Sequence, residues 1–238
     1  YAEQAGRGEA GKRLVRRRAI NTIANQADYT RASVLNDAYL NAMRSVLRPP
    51  TLDASFKELV LTLPGETYIA EQLDEVDPQR IHAVRESMRE QLARELLHDW
   101  QWAYETHTVK GSYRADAVSS GRRALSGLAL TMLCLAARNS GDPSTLRQAQ
   151  DRPSSGQASV WPGKAYQCFR IAANMTDRFN ALHALVNSGH ELGSQALTRF
   201  HAMFRNEALV LDKWFALQAG ASDRGGQVLP AVRQLMAH

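Results

Sequence analysis

The residues with the clearest chemical potential are His190 and Glu191, in the run His190-Glu191-Leu-Gly-Ser194. A zinc-hydrolase helix needs two imidazoles at i and i+4 on one face, with the intervening Glu as general base. Ser194 stands where the second imidazole would be, and Gly189 and Gly193 mark a helix junction, not a helix interior. The remaining histidines, His82, His98, His107, His183, His201 and His238, do not supply the pair, because no two are three or four residues apart. The carboxylate pairs Glu71/Glu75 and Asp74/Asp77 have the spacing of a solvated acidic face. Neither a complete Walker loop nor a Gly-x-Ser-x-Gly elbow is present. The residues therefore assign no catalytic, cofactor-binding or metal-binding position in this chain.

Other reactive or sticky residues have plainer readings. Cys134 and Cys168 sit inside apolar helical patterns, outside any metal-type spacing, and read as buried free thiols. Asn174-Met-Thr176 matches a glycosylation sequon, but Asn174 reads better as a helix N-cap with Asp177 in the first turn. Trp214 and Phe215 read as core anchors flanked by Leu209, Val210, Leu211 and Leu217. Trp100, Trp102 and Tyr104 read as packing residues.

Charge is uneven along the chain. Residues 1–50 carry nine Lys/Arg against four acids, and that surplus of five equals the whole net charge of +5. The basic run Lys12-Arg-Leu-Val-Arg-Arg-Arg18 suits an acidic partner, but it lacks the interleaved aromatics and known folds of nucleic-acid readers. A solvated or interdomain face is the expectation, with no nucleic-acid partner. No apolar run reaches the roughly 18 residues a membrane helix needs, since residues 125–137 are interrupted by Ser126, Gly127 and Thr131. The first residues lack the apolar stretch of a signal peptide. These features predict a cytoplasmic protein without membrane contact. The first residue is Tyr, so the chain is read as a fragment or processed product.

The elements that must position all this are helices. Asp77-Pro78 starts the clearest one, with Ile81, Val84, Met88, Leu92 and Leu96 at three- and four-residue steps along one face. The pattern predicts one long helix to about Tyr104. Further helices are expected at 8–25, 33–47, 53–61, 65–75, 115–138, 164–173, 175–188, 191–205, 208–219 and 226–237. No strand signal of useful length is present, and no fixed-period repeat. The predicted fold is all-α: stacked antiparallel helix pairs forming an irregular superhelical array, in one domain over residues 1–238. The polar, Pro- and Ser-rich stretch at about 141–163 reads as a flexible, dispensable insertion.

Several segments carry a resemblance in collinear order: Glu9-Ala-Gly-Lys-Arg-Leu14, residues 37–47, Leu61-Thr-Leu-Pro64, Asp77-Pro-Gln-Arg-Ile81, Gly121-Arg-Arg-Ala-Leu125, Ala173-Asn-Met-Thr-Asp-Arg178 and Asp212-Lys-Trp-Phe215. Together they resemble the C-terminal helical domain of the bacterial aminopeptidase N (alanyl aminopeptidase) family, over nearly the whole chain except the insertion. The resemblance implies a parent that is a zinc-dependent peptidase removing N-terminal residues from peptides. It also implies a helical domain that caps the active-site chamber and limits peptide access. The implied partners are the parent's catalytic and N-terminal domains, with peptide substrates in the full-length protein. The family's zinc motif and its Gly-Ala-Met-Glu-Asn strand do not occur here, so zinc belongs to the parent's catalytic domain and no site residue carries over. A truncated C-terminal end is expected to leave apolar helix faces unpaired. The alternative expectation is a free-standing helical interaction module that binds an acidic partner through the basic helix at 8–25.

Overall fold

The structure is a computed structural model that describes residues 35–139, 160–223 and 226–237, together with Arg13, Arg17 and Asn21. The described residues form eleven helices and no strand. They are α1 (Asp37–Leu47), α2 (Ala54–Leu61), α3 (Glu66–Ala70), α4 (Pro78–Glu95), α5 (Leu97–His107), α6 (Ala117–Asn139), α7 (Trp161–Ile171), α8 (Met175–Ser188), α9 (Leu192–Phe204), α10 (Ala208–Ala219) and α11 (Val228–Leu235). The chain divides into two compact units, Tyr1–Met132 and Leu133–His238, with the boundary inside α6.

In the first unit, the expected apolar face of α4 is the core: Ile81, Val84, Met88, Leu92 and Leu96 are all buried. Asp77 caps it by accepting from the Arg80 N–H at 3.0 Å, with Pro78 in the first turn. Asn36 and Asp53 cap α1 and α2 in the same way, so α1 begins at Asp37, later than the sequence suggested. The buried Gln91 of α4 clamps the backbone of Leu35. Its Oε1 accepts from the Leu35 N–H at 2.8 Å, and its Nε2 donates to the Leu35 carbonyl at 2.9 Å. α3 ends at Ala70, short of the expected residue 75.

The predicted long helix from Asp77 to Tyr104 is two helices. Leu96, at φ −108° and ψ 25°, interrupts it. The buried indole of Trp100 explains the break. Its Nε1–H donates to the Leu92 carbonyl at 3.0 Å. In a straight helix those positions lie about 12 Å apart along the axis, so the bond requires a bend. Arg44 of α1 then donates from Nη2 to the carbonyl of Glu95 at 3.0 Å, satisfying one of the freed carbonyls at the end of α4.

In the second unit, α7, α8 and α9 pack together. Phe200 is the hub, with ring centres 6.5 Å from Phe169, 6.1 Å from Phe179 and 4.8 Å from Phe204. α7 starts at Trp161, three residues earlier than expected, because Trp161 and Pro162 are buried. Asn174 caps α8 by accepting from the Asp177 N–H at 2.9 Å, as the sequence indicated. Gly189 ends α8 in the left-handed conformation, at φ 67°. Arg178 holds the carbonyls that α7 leaves open, donating to Phe169 at 2.7 Å and also to Ala172.

Gly121 of α6 lies against α2: a Cβ there would meet Ser55 Oγ at 2.2 Å and the Ser55 backbone N at 2.9 Å. Gly163 in α7 would meet nothing within 4 Å. Gly121→Ala is therefore expected to destabilise the chain by about 1–3 kcal/mol through overpacking. Gly163→Ala should be neutral or stabilising by up to about 1 kcal/mol. Urea-midpoint shifts for the two variants check this, and equal shifts would contradict the close α2–α6 approach.

Candidate functional site

The densest group of chemically active side chains gathers around Trp102 of α5, in the first unit. Arg48, just past α1, places its guanidinium carbon 4.9 Å from the indole centre. Lys57 of α2 places its ammonium 5.6 Å from the same centre. His107, at the end of α5, meets the ring edge-on at 5.7 Å and 77°. Arg122 of α6 arrives alongside, donating from Nη2 to the Thr106 carbonyl at 2.7 Å. Cations over an indole face are attracted by its quadrupole, so one ring organises several positive groups.

The electrostatics of this cluster are unbalanced. Asp99 serves Arg44 and Arg48, with its oxygens 3.2 and 2.7 Å from their nitrogens, and is itself mostly buried. Asp53 spends Oδ1 on the N–H groups of Ser55 and Phe56. No described carboxylate lies within 4.0 Å of the charged ends of Lys57, His107 or Arg122. Lys57 is nevertheless only 1% exposed. Burial lowers its pKa, with Asp53 opposing. Burial also lowers that of His107. The positive charges of Lys57 and Arg122 lower it further, against a bond to the Ala103 carbonyl. That bond, at 2.9 Å, requires the proton on Nδ1, which leaves Nε2 as an acceptor in the neutral ring. The Nε of Arg122 is buried without a hydrogen-bond partner among the described residues.

Sequence reasoning named Trp102 only as a packing residue and passed over Lys57 and Arg122. A signal did exist. Ala54, Lys57, Val60 and Leu61 share the buried face of α2, so Lys57 occupies a position where the pattern asks for an apolar residue.

The residues singled out from the sequence fall elsewhere. His190 and Glu191 lie at the α8–α9 junction, where His190 Nδ1 accepts from the Leu192 N–H at 3.2 Å. No group of three or more His, Cys, Asp or Glu side chains among the described residues is arranged to hold a metal, so the residues present do not fit a zinc ion. Neither Cys134 nor Cys168 is in a disulfide. Cys134 is buried, which pushes its thiol up to about 12, while Cys168 is only partly covered. The basic helix at 8–25 lies outside the described residues except Arg13, Arg17 and Asn21, each helical and exposed. The run Gly6-Arg-Gly-Glu-Ala-Gly-Lys12 spells a Gly-x-Gly-x-x-Gly pattern that the motif reading passed over, and it too lies outside the described residues.

The reading of Trp214 and Phe215 as core anchors needs correction. Trp214 is half-buried, stacking on His201 at 4.8 Å and donating to the Leu197 carbonyl at 3.0 Å. Phe215 is exposed, Leu209 is 80% exposed, and only Leu217 of α10 is buried. α11 buries no residue, and Leu229 and Met236 beside it are exposed. The tryptophan faces solvent on one side because α10 packs mainly on α9 and α11, leaving much of its surface uncovered. No helix among the described residues is long and apolar enough to cross a membrane.

The helices define an all-helical array of the armadillo-repeat kind, and comparison with known proteins gives it a family. Residues 3–238 match the family described as a domain of unknown function (DUF3458_C) with ARM repeats, and the chain belongs to it. It is 31% identical over 212 residues to aminopeptidase N of Caulobacter vibrioides, covering 89% of this chain and 22% of that protein. It is 30% identical over 199 residues to aminopeptidase N of Haemophilus influenzae, covering 84% of this chain and 20% of the relative. Over 198 residues it is 28% identical to the Escherichia coli protein of the same name, covering 83% and 20%. The crystal structure of Legionella pneumophila aminopeptidase A in complex with aspartic acid shares the fold. The TM-score is 0.73 at 20% identity, over 99% of this chain and 25% of that one. The resemblance to aminopeptidase N read from the sequence is thus the one the comparisons find, and the chain spans about a fifth of those relatives' length.

The Trp102 cluster has a pH signature. His107 has a folded pKa below its ordinary 6.5, so the unfolded chain binds its proton more readily. Stability from this residue is full above 6.5 and falls as the pH drops from there towards the folded value. His107→Gln is expected to flatten that part of the acid dependence. Urea unfolding at about pH 7.5 and about pH 5.5, for both forms, measures the difference.

Proposed function

We propose that the chain is a non-catalytic helical domain of a zinc-dependent aminopeptidase that removes N-terminal amino acids from peptides. In this reading it caps the active-site chamber and limits which peptides enter. The observation that carries it is the collinear match over 89% of the chain to 22% of an aminopeptidase N. The all-helical fold agrees with a scaffold role. Its partners are then the catalytic and N-terminal domains of the parent, with zinc held by the catalytic domain and peptides as substrates of the whole. The 238 residues act as one helical domain of that protein, in the cytoplasm.

The purified chain is expected to hydrolyse no aminoacyl-anilide, with or without added zinc, and to carry no stoichiometric zinc by elemental analysis. Chelator-sensitive turnover by the chain alone would sink the non-catalytic reading.

A further inference from the structure

We propose that Lys57, His107 and Arg122, gathered beside Trp102, form a binding site for a small oxyanion, a carboxylate or a phosphate. The first argument is charge. Lys57 and Arg122 both bear on His107, yet none of the three has a described carboxylate within 4.0 Å. A covered cation without a counterion carries a desolvation penalty that a bound anion offsets. Asp99 is taken by Arg44 and Arg48, while Asp53, which caps α2 through Oδ1, acts on Lys57 only from beyond 4.0 Å.

The second argument is donor capacity. The Lys57 ammonium makes no hydrogen bond or ion pair among the described residues, while its side chain is 1% exposed and lies against the indole. Arg122 keeps a buried Nε–H without an acceptor among the described residues. His107 gains a donor at Nε2 once protonated, since Nδ1 is committed to Ala103. An oxyanion accepts from all three donor types, and charge-assisted bonds of this kind are the stronger ones. A metal ion would be repelled by the same charges. An extended polyanion would need a basic track, whereas Lys57 and His107 meet at one indole and Arg122 is tied to the nearby Thr106 carbonyl.

The geometry also selects how binding reads out. The charged groups bearing on His107 are Lys57 from α2 and Arg122 from α6, both positive. An anion between them screens both and favours the imidazolium, so binding must raise the His107 pKa. This inference is independent of the aminopeptidase reading, because it rests on side chains of the first unit alone.

The test is isothermal titration of the 238-residue chain with sodium acetate and with sodium phosphate, at constant ionic strength in chloride buffer. Saturable one-site binding is expected with at least one salt. Acetate alone would assign a carboxylate site, phosphate alone a phosphate site, and both a general oxyanion site. Lys57→Met and Arg122→Gln should each weaken binding about tenfold or more. NMR titration of the His107 ring should move upward in pH when the salt is saturating. Arg122 is only half-buried, so its variant keeps the test sharp if Lys57→Met fails to fold. Absence of saturable binding to either salt, or binding unchanged in Arg122→Gln, overturns the proposal.

Discussion

The bond from the Trp100 indole to the Leu92 carbonyl is the constraint on which the first unit depends. A buried indole N–H must find an acceptor, and this one reaches back past the break at Leu96. Without the bend, α5 would continue along the axis of α4. With it, α5 lies beside α1, where Asp99 meets Arg44 and Arg48. The same turn presents Trp102 to Arg48 and Lys57. One hydrogen bond thus links core packing to the position of Trp102, the ring that Arg48 and Lys57 approach.

That placement trades stability for charge. Asp99 neutralises the Arg44 and Arg48 side of the indole, and these arginines are nearly half exposed, so the pair contributes modestly. The other side, with Lys57, His107 and Arg122, has no such partner among the described residues. Attraction to the indole is worth about 2 kcal/mol or more for a desolvated cation, set against the several kcal/mol that removing an ion from water costs. His107 holds its neutral form more tightly, first because burial desolvates it and then because Lys57 and Arg122 repel its charge.

Much of the fold was legible in the sequence, for local reasons. The caps at Asp77 and Asn174, and the apolar ladder from Ile81 to Leu96, are short-range patterns, and each holds in the structure. The failures are tertiary. Nothing local in Glu95-Leu-Leu-His98 forbids a helix, so the break at Leu96 appears only once the Trp100 bond is known. Trp214 and Phe215 look like core residues because aromatics flanked by leucines usually are. What exposes Phe215 is how few neighbours α10 has, which no single segment encodes. The cluster at Trp102 was the least legible, since its members come from four separate stretches of chain. Lys57 alone left a trace, as a cation in the buried register of α2.

The missing sequence period has a physical cause in the helix junctions. In a regular repeat array, equivalent turns are closed by equivalent residues, and the period records that. Here several helix starts share Asn or Asp caps, but several helix ends are closed by residues at unrelated positions. The end of α4 is held by Arg44 from α1, the end of α7 by Arg178 from α8, and the end of α8 by a left-handed glycine. The approach of α2 to α6 depends on the missing side chain of Gly121, and the chain leading into α1 on the Gln91 clamp. An array assembled this way stacks helices as a repeat protein does while closing those helix ends with different residues. Its family likeness is therefore carried by collinear single positions, not by a period.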